Sequence, residues 1–317
     1  MDEDKLSFDK ERAAKVFSRL EEALRKREKL FSWPDIFPEE KFARYFPTDS
    51  LEFRLLLFFA VNFDHNQQSS PYYRKVAQSL DEGFISSPLD ILEFSESKIE
   101  ELYQLWGLPF NRSKSELKDN IRLLKEKYQG DPLNVIKGAK DVNEAKEKLR
   151  VFRGYGKELS GLLMTFYIKH RVTYFENHHE LEIKIDLNKL RVMYDTGVLV
   201  PNPEFMTGHI HKDRIIPQTR DFLIQVCKEQ GLDSKKVSEA MWPIGERISS
   251  RFRNHEGKRS LNYLSNSPVS EFSDHRKYLD IPYGKKTLMK LEKRGLHLKG
   301  SYCYFYVLGF DQKSLFD

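Results

Sequence analysis

The chain has 317 residues, 39% of them hydrophobic and 32% charged, with a net charge of +5. That length buries a sizeable core in one large or two modest domains, and the mildly basic balance admits a nucleic-acid partner without requiring one. Two cysteines, Cys227 and Cys303, are too few for a zinc or iron–sulfur ligand set or for a disulfide framework, so no metal and no cofactor is expected. The opening stretch MDEDKLSFDKERAAKV is charged and no long apolar run follows, which predicts an intracellular protein (cytoplasm and nucleoid, or nucleus) with no membrane segment.

Residues 8–31 carry apolar positions three and four apart among many charges, the pattern of an amphipathic helix. SWPDIFPEE breaks it. Asp49-Ser50 caps the next helix, LEFRLLLFFAVNF, which is apolar nearly all round and therefore central. A polar turn, DHNQQSSP, precedes a helix that starts near Tyr72. SSPLDILEFSESKIEELYQLWGL reads as two short helices, the second capped by Ser95. The next helix ends at Gly130 and restarts after Pro132, and DVNEAKEKLRVF is a helix capped by Asp141.

The connector Arg153-Gly154-Tyr155-Gly156 is then too short for anything but a hairpin into a second helix, from Lys157 to about His170. A short strand is expected over 181–185, and helices follow in LNKLRVMYDTGV, PQTRDFLIQVCKEQG and DSKKVSEAMWPIGERISSRF. The end of the chain mixes a basic helix with an aromatic, β-like element.

The hairpin is the segment with the most chemistry. Glycine serves where φ is positive or where something approaches the backbone closely. A helix that starts at glycine leaves its first N–H groups and the positive end of its dipole available to a phosphate, and Arg153 and Lys157 add charge beside them. A plain helix–helix turn with a glycine cap explains Gly-x-Gly equally well. Leu149, Phe152 and Tyr155 before the bend, with Leu159, Leu162 and Leu163 after it, give both helices apolar faces.

A hydrophobic residue between two glycines, flanked by such faces, resembles the helix-hairpin-helix DNA-binding motif. In their order along residues 49–255, five segments resemble the helix-hairpin-helix DNA glycosylases, the superfamily of endonuclease III, adenine glycosylase and 8-oxoguanine glycosylases. These are the apolar helix running into NQQSS, the segment LDILEFSESKIEELYQLWGL, the helix of LLKEKYQGDPLNVI before the hairpin, the acidic IKIDLNKLRV after it, and EAMWPIGERIS. The chain departs from the family where Arg153 replaces the usual proline, in lacking four clustered cysteines, and in a longer interval from Gly154 to Asp186 than the bacterial enzymes have.

The resemblance implies a mainly all-α fold: two helical subdomains with a cleft between them, a helix-hairpin-helix motif, and a small β-like C-terminal element. The expected divisions are an N-terminal segment (1–48) packing with the C-terminal half, a central subdomain (49–155), a subdomain with the second hairpin helix and the acidic residue (156–260), and a basic, aromatic extension (261–317). It implies a DNA glycosylase that flips out a damaged base, first of all 8-oxoguanine, from double-stranded DNA and cleaves its glycosidic bond, acting as a monomer. Two other readings stand beside it: a non-catalytic nucleic-acid-binding protein, and a glycosidase of the same fold acting on modified nucleosides.

By the same resemblance Asp186 is the carboxylate that stabilises the oxocarbenium-like state or activates water; as an ordinary residue it is a helix N-cap. Glu158 falls where the family's Schiff-base lysine sits, with Lys157 one position early, so Lys157 is either that nucleophile or a phosphate contact. Arg153, Gly154, Gly156 and Lys157 are the expected backbone contacts, and Asn66, Gln67 and Gln68 the expected wedge at the opposite base. Tyr72, Tyr73 and Trp242 are candidates for the base pocket, although aromatic residues at such spacing also serve as core. His178, His179, His209 and His211 lack metal-ligand spacing and read as solvated loop residues.

Overall fold

A computed structural model of the protein describes residues 7–32, 36–64, 69–108, 114–200 and 212–254. Those residues are predominantly helical, as expected. The expected wedge residues Asn66, Gln67 and Gln68, and the whole 261–317 extension with its β-like element, lie outside them.

The chain divides into two compact units, one made of residues 1–36 with 183–317, the other of residues 37–182. These divisions fall at 36/37 and 182/183, whereas the sequence suggested 48/49 and 155/156. Both helices of the hairpin therefore belong to the second unit and Asp186 to the first.

In the first unit, α1 (Lys10–Lys26) is capped by Asp9, whose side chain accepts from the Arg12 N–H, and it buries Ala13, Val16, Phe17, Leu20 and Ala23. It stops at Arg27, which turns left-handed at φ 52° and donates its N–H back to the last carbonyls. A two-residue antiparallel pair joins Ser7–Phe8 to Leu199–Val200.

In the second unit, α2 (Leu51–Asn62) is capped by Ser50 as expected and is buried along nearly its whole length. Around it pack α3 (Ser69–Asp81), α4 (Glu96–Trp106), α5 (Lys114–Tyr128), the short α6 (Pro132–Ile136), α7 (Val142–Leu149) and α8 (Lys157–Lys169). Ser95 caps α4, Asp131 caps α6 and Asp141 caps α7, each accepting a first-turn N–H. Asp131 also takes a two-pronged contact from Arg54 on α2, at 2.8 and 2.7 Å, and the Tyr167 hydroxyl of α8 donates to the Arg54 carbonyl at 2.8 Å. These bonds fix both ends of the hairpin's surroundings to the central helix.

The first unit continues with α9 (Leu187–Asp195), α10 (Lys212–Gln230) and α11 (Ser234–Asn254). Helices α10 and α11 both pack on α1, and α11 also packs on α9. The α9–α11 approach is very close. A Cβ placed on Gly245 of α11 would lie 2.1 Å from the Asn188 carbonyl oxygen of α9, so only glycine fits.

The strand expected over 181–185 does not form. Alternate residues Leu181, Ile183 and Ile185 are buried, as a period of two requires, but no strand pairs with the segment among the described residues. Alternation alone selects which side chains are covered; a strand also needs a neighbour to accept its ladder bonds.

Candidate nucleic-acid interface

Helix α7 ends at Leu149, earlier than the sequence pattern suggested, and the chain turns through residues 150–156 into α8. Phe152 and Tyr155 are buried at 1% and 3% exposure and anchor the turn in the core. Their rings pack on Phe58 of α2, with centroids 5.0 and 5.1 Å away, and the Tyr155 hydroxyl donates to the Phe58 carbonyl. Between these two anchors Arg153 points its side chain outward, 59% exposed.

Gly154 has φ +87°, a left-handed value that a side chain makes costly. It also lies against α2: a Cβ there would sit 2.8 Å from Asn62 Nδ2 and 3.2 Å from the Asn62 carbonyl oxygen. Both reasons for glycine given by the sequence apply at this one position. Gly156 has an extended φ of −81° with open space around it, so its role is different. It is the N-cap of α8 and contributes no capping side chain.

Two buried asparagines hold the turn from beneath. Asn62 on α2 and Asn120 on α5, each 1% exposed, both donate to the Arg153 carbonyl at 2.8 Å. The Asn120 side-chain carbonyl accepts the Arg153 N–H at 2.9 Å, and the two amides bond to each other at 3.1 Å. A buried amide has donors and an acceptor to satisfy, and here the bend's own backbone supplies the partners. The turn is thereby held rigid without using any outward-facing group. The sequence reading missed Asn62 and Asn120; the one available signal was a lone amide at the end of an otherwise apolar helix.

The cations at the bend are held by exposed acids. Arg153 Nη1 lies 2.8 Å from Asp119, and Lys157 Nζ, on a side chain 70% exposed, lies 3.1 Å from Glu182. Pairs this exposed contribute about 0–1 kcal/mol, so a phosphate can displace the acids at little cost.

Asp186 caps α9. Its Oδ1 accepts the Lys189 N–H at 3.1 Å, and its Oδ2 is 3.4 Å from Lys189 Nζ. That ammonium also donates to the Lys184 carbonyl at 2.6 Å. Lys189 is buried, and burial pushes its pKa below the ordinary lysine value while the Asp186 charge works in the other direction. The Asp186 side chain remains 25% exposed.

Tyr72 and Tyr73 occupy the core of the second unit at 2% and 1% exposure, with the Tyr72 hydroxyl donating to the Ala60 carbonyl. Their rings pack on Trp106, Phe42 and Phe166, so they pack as core aromatics of the second unit; Trp242 is half-buried on α11 of the first unit. His178 and His179 lie on a short 3-10 turn, where His178 Nδ1 is bonded to the Phe175 carbonyl at 2.9 Å. No group of three or more His, Cys, Asp or Glu side chains is placed to hold a metal among the described residues, and His209 and His211 lie outside them. Among those residues no helix is long and apolar enough to cross a membrane. Comparisons with protein-family models, with curated proteins and with solved structures find no match.

Proposed function

We propose that the protein is a DNA glycosylase of the helix-hairpin-helix kind, which excises a damaged or modified base from duplex DNA in base excision repair. One observation carries this reading: the bend between α7 and α8 is braced from the inside by Asn62 and Asn120 and presents Arg153, Lys157 and an N-terminus with no capping side chain to the outside. The helix dipole and the two cations suit a DNA phosphate. Asp186 is, in this reading, the residue that stabilises positive charge on the sugar of the flipped nucleotide or activates the attacking water. Lys157 serves as a phosphate contact and water as the nucleophile; 8-oxoguanine is the first lesion to try.

The test is base release from a panel of damaged duplexes by the wild type and by Asp186→Asn. Asparagine caps helices as well as aspartate does, so the variant keeps the fold while losing the carboxylate. We expect the rate of release to fall roughly a hundred- to a thousandfold, a loss of about 2.7–4 kcal/mol of transition-state stabilisation. Full activity in Asp186→Asn sinks the mechanism.

A second reading has its own observation. Both Asp186 oxygens already face Lys189, as they do in a purely structural cap. Under that reading the protein binds DNA through the bend without chemistry, and the same assay gives salt-sensitive binding with no base released. Cleavage of free modified nucleosides, with intact DNA untouched, identifies instead a glycosidase of nucleosides.

A further inference from the structure

Helix α7 carries two lysines, Lys146 and Lys148, and Lys146 is the buried one. It lies on the inner side of α7 at 8% exposure, and its aliphatic stem passes over α8 where Gly161 leaves room: a Cβ on Gly161 would be 3.7 Å from Lys146 Cε. Nearby lysines are ion-paired, Lys157 with Glu182 and Lys148 with Glu144, but Lys146 has neither an ion pair nor a hydrogen bond among the described residues. The charges that act on it are Lys157 from α8, Glu147 on its own helix and Arg150 just past that helix's end. Arg150 is held by Glu147 at 2.6 Å. Burial, and next the Lys157 charge, push the Lys146 amine below the ordinary lysine value.

An amine so placed is more often unprotonated near neutrality than an exposed lysine, and an unprotonated amine adds to carbonyl carbon. Lys157, whose exposed pair with Glu182 opens at little cost, favours carbonyl compounds that also carry an anion. We propose that Lys146 is a carbonyl-capture site, whose amine in the seam between α7 and α8 condenses with small aldehydes bearing a phosphate. The Nζ lone pair forms a bond to the aldehyde carbon, the carbonyl oxygen departs as water with the two amine protons, and an imine remains. No oxidant or reductant takes part. The phosphate of the bound aldehyde sits by Lys157, which releases Glu182 to receive it. The inference stands apart from the DNA reading, because the occupant is a small molecule.

The experiment treats the full-length protein with limiting pyridoxal 5′-phosphate or with pyridoxal at neutral pH, reduces the adducts with borohydride, and maps them by mass spectrometry. Lys146 is expected to be labelled severalfold faster than the exposed Lys157, and severalfold faster by the phosphorylated probe than by pyridoxal. In Lys157→Gln the adduct at Lys146 persists while the preference for the phosphorylated probe collapses. In Lys146→Met, which keeps the aliphatic stem, most labelling at limiting probe disappears. Labelling of wild-type Lys146 no faster than of Lys157 overturns the proposal, and that comparison needs no variant to fold. Equal rates with the two probes also overturn it, as does trapping of an abasic duplex at Lys146 without trapping of either small aldehyde.

Discussion

Gly154 and Gly156 are one residue apart and answer to different constraints. At Gly154 a side chain would meet both a left-handed backbone and the Asn62 amide. Gly154→Ala should therefore cost about 2–3 kcal/mol, from the αL penalty together with the disturbed buried bond; a urea titration measures it. At Gly156 a side chain has open space and a helix N-terminus to cap. Gly156→Ser should raise stability by a few tenths of a kcal/mol, because glycine is itself a fair N-cap. The serine oxygen then occupies a first-turn N–H that the proposed phosphate would use, so the same variant should bind duplex DNA more weakly. Stabilisation with unchanged binding by Gly156→Ser, read in a salt titration, counts against the phosphate role. In the other unit, burial pushes the Cys227 thiol up to about 12 from its ordinary 9.0. An acid whose folded pKa is raised contributes stability that is complete below pH 9 and is lost as pH climbs from there towards 12. Between pH 8 and pH 10 the loss amounts to about 1 kcal/mol, and Cys227→Val, which has no thiol to ionise, should lose that much less over the same interval.

At the scale of helices, the close approach of α9 and α11 depends on Gly245. Gly245→Ala drives a methyl into the Asn188 backbone and should cost about 1–3 kcal/mol, whereas Gly161→Ala, with its nearest neighbour at 3.7 Å, should be neutral or stabilising by up to ~1 kcal/mol; thermal melts of the two compare them directly. Helices were the legible part of the sequence. Ser50, Ser95, Asp131 and Asp141 each stand just before an apolar-periodic run, and each caps a helix, because a cap is decided by bonds to residues two or three places away. The bend was legible too, from its two glycines and the apolar residue between them. What holds the bend was not. Asn62 and Asn120 are 58 positions apart, and neither has a periodic pattern that announces a bond to the Arg153 backbone. The unpaired Lys146 was equally hidden, since its residue type predicts a solvated face and only the packing of α7 on α8 covers it. Tyr72 and Tyr73 read as pocket or core from sequence, and the core reading is the one consistent with their burial.

At the scale of the molecule, the second unit is a single continuous stretch of chain with a core that runs from Phe42 to Leu181. A fragment of residues 37–182 should fold alone, with helical circular dichroism and one cooperative urea transition; a gradual transition would show that its core needs the rest of the chain. The first unit is assembled from two stretches that the second unit separates, and α1 finds α10 and α11 only across that gap. During synthesis the apolar stripe of α1, with Phe17 and Leu20 at its centre, leaves the ribosome long before the helices that will cover it. At ~5–20 residues per second that interval lasts about ten to forty seconds. For that time the nascent chain exposes a sticky amphipathic helix beside a neighbour that is already folding, which makes α1 the natural point of attachment for a chaperone and the first place where crowded polysomes would cross-associate.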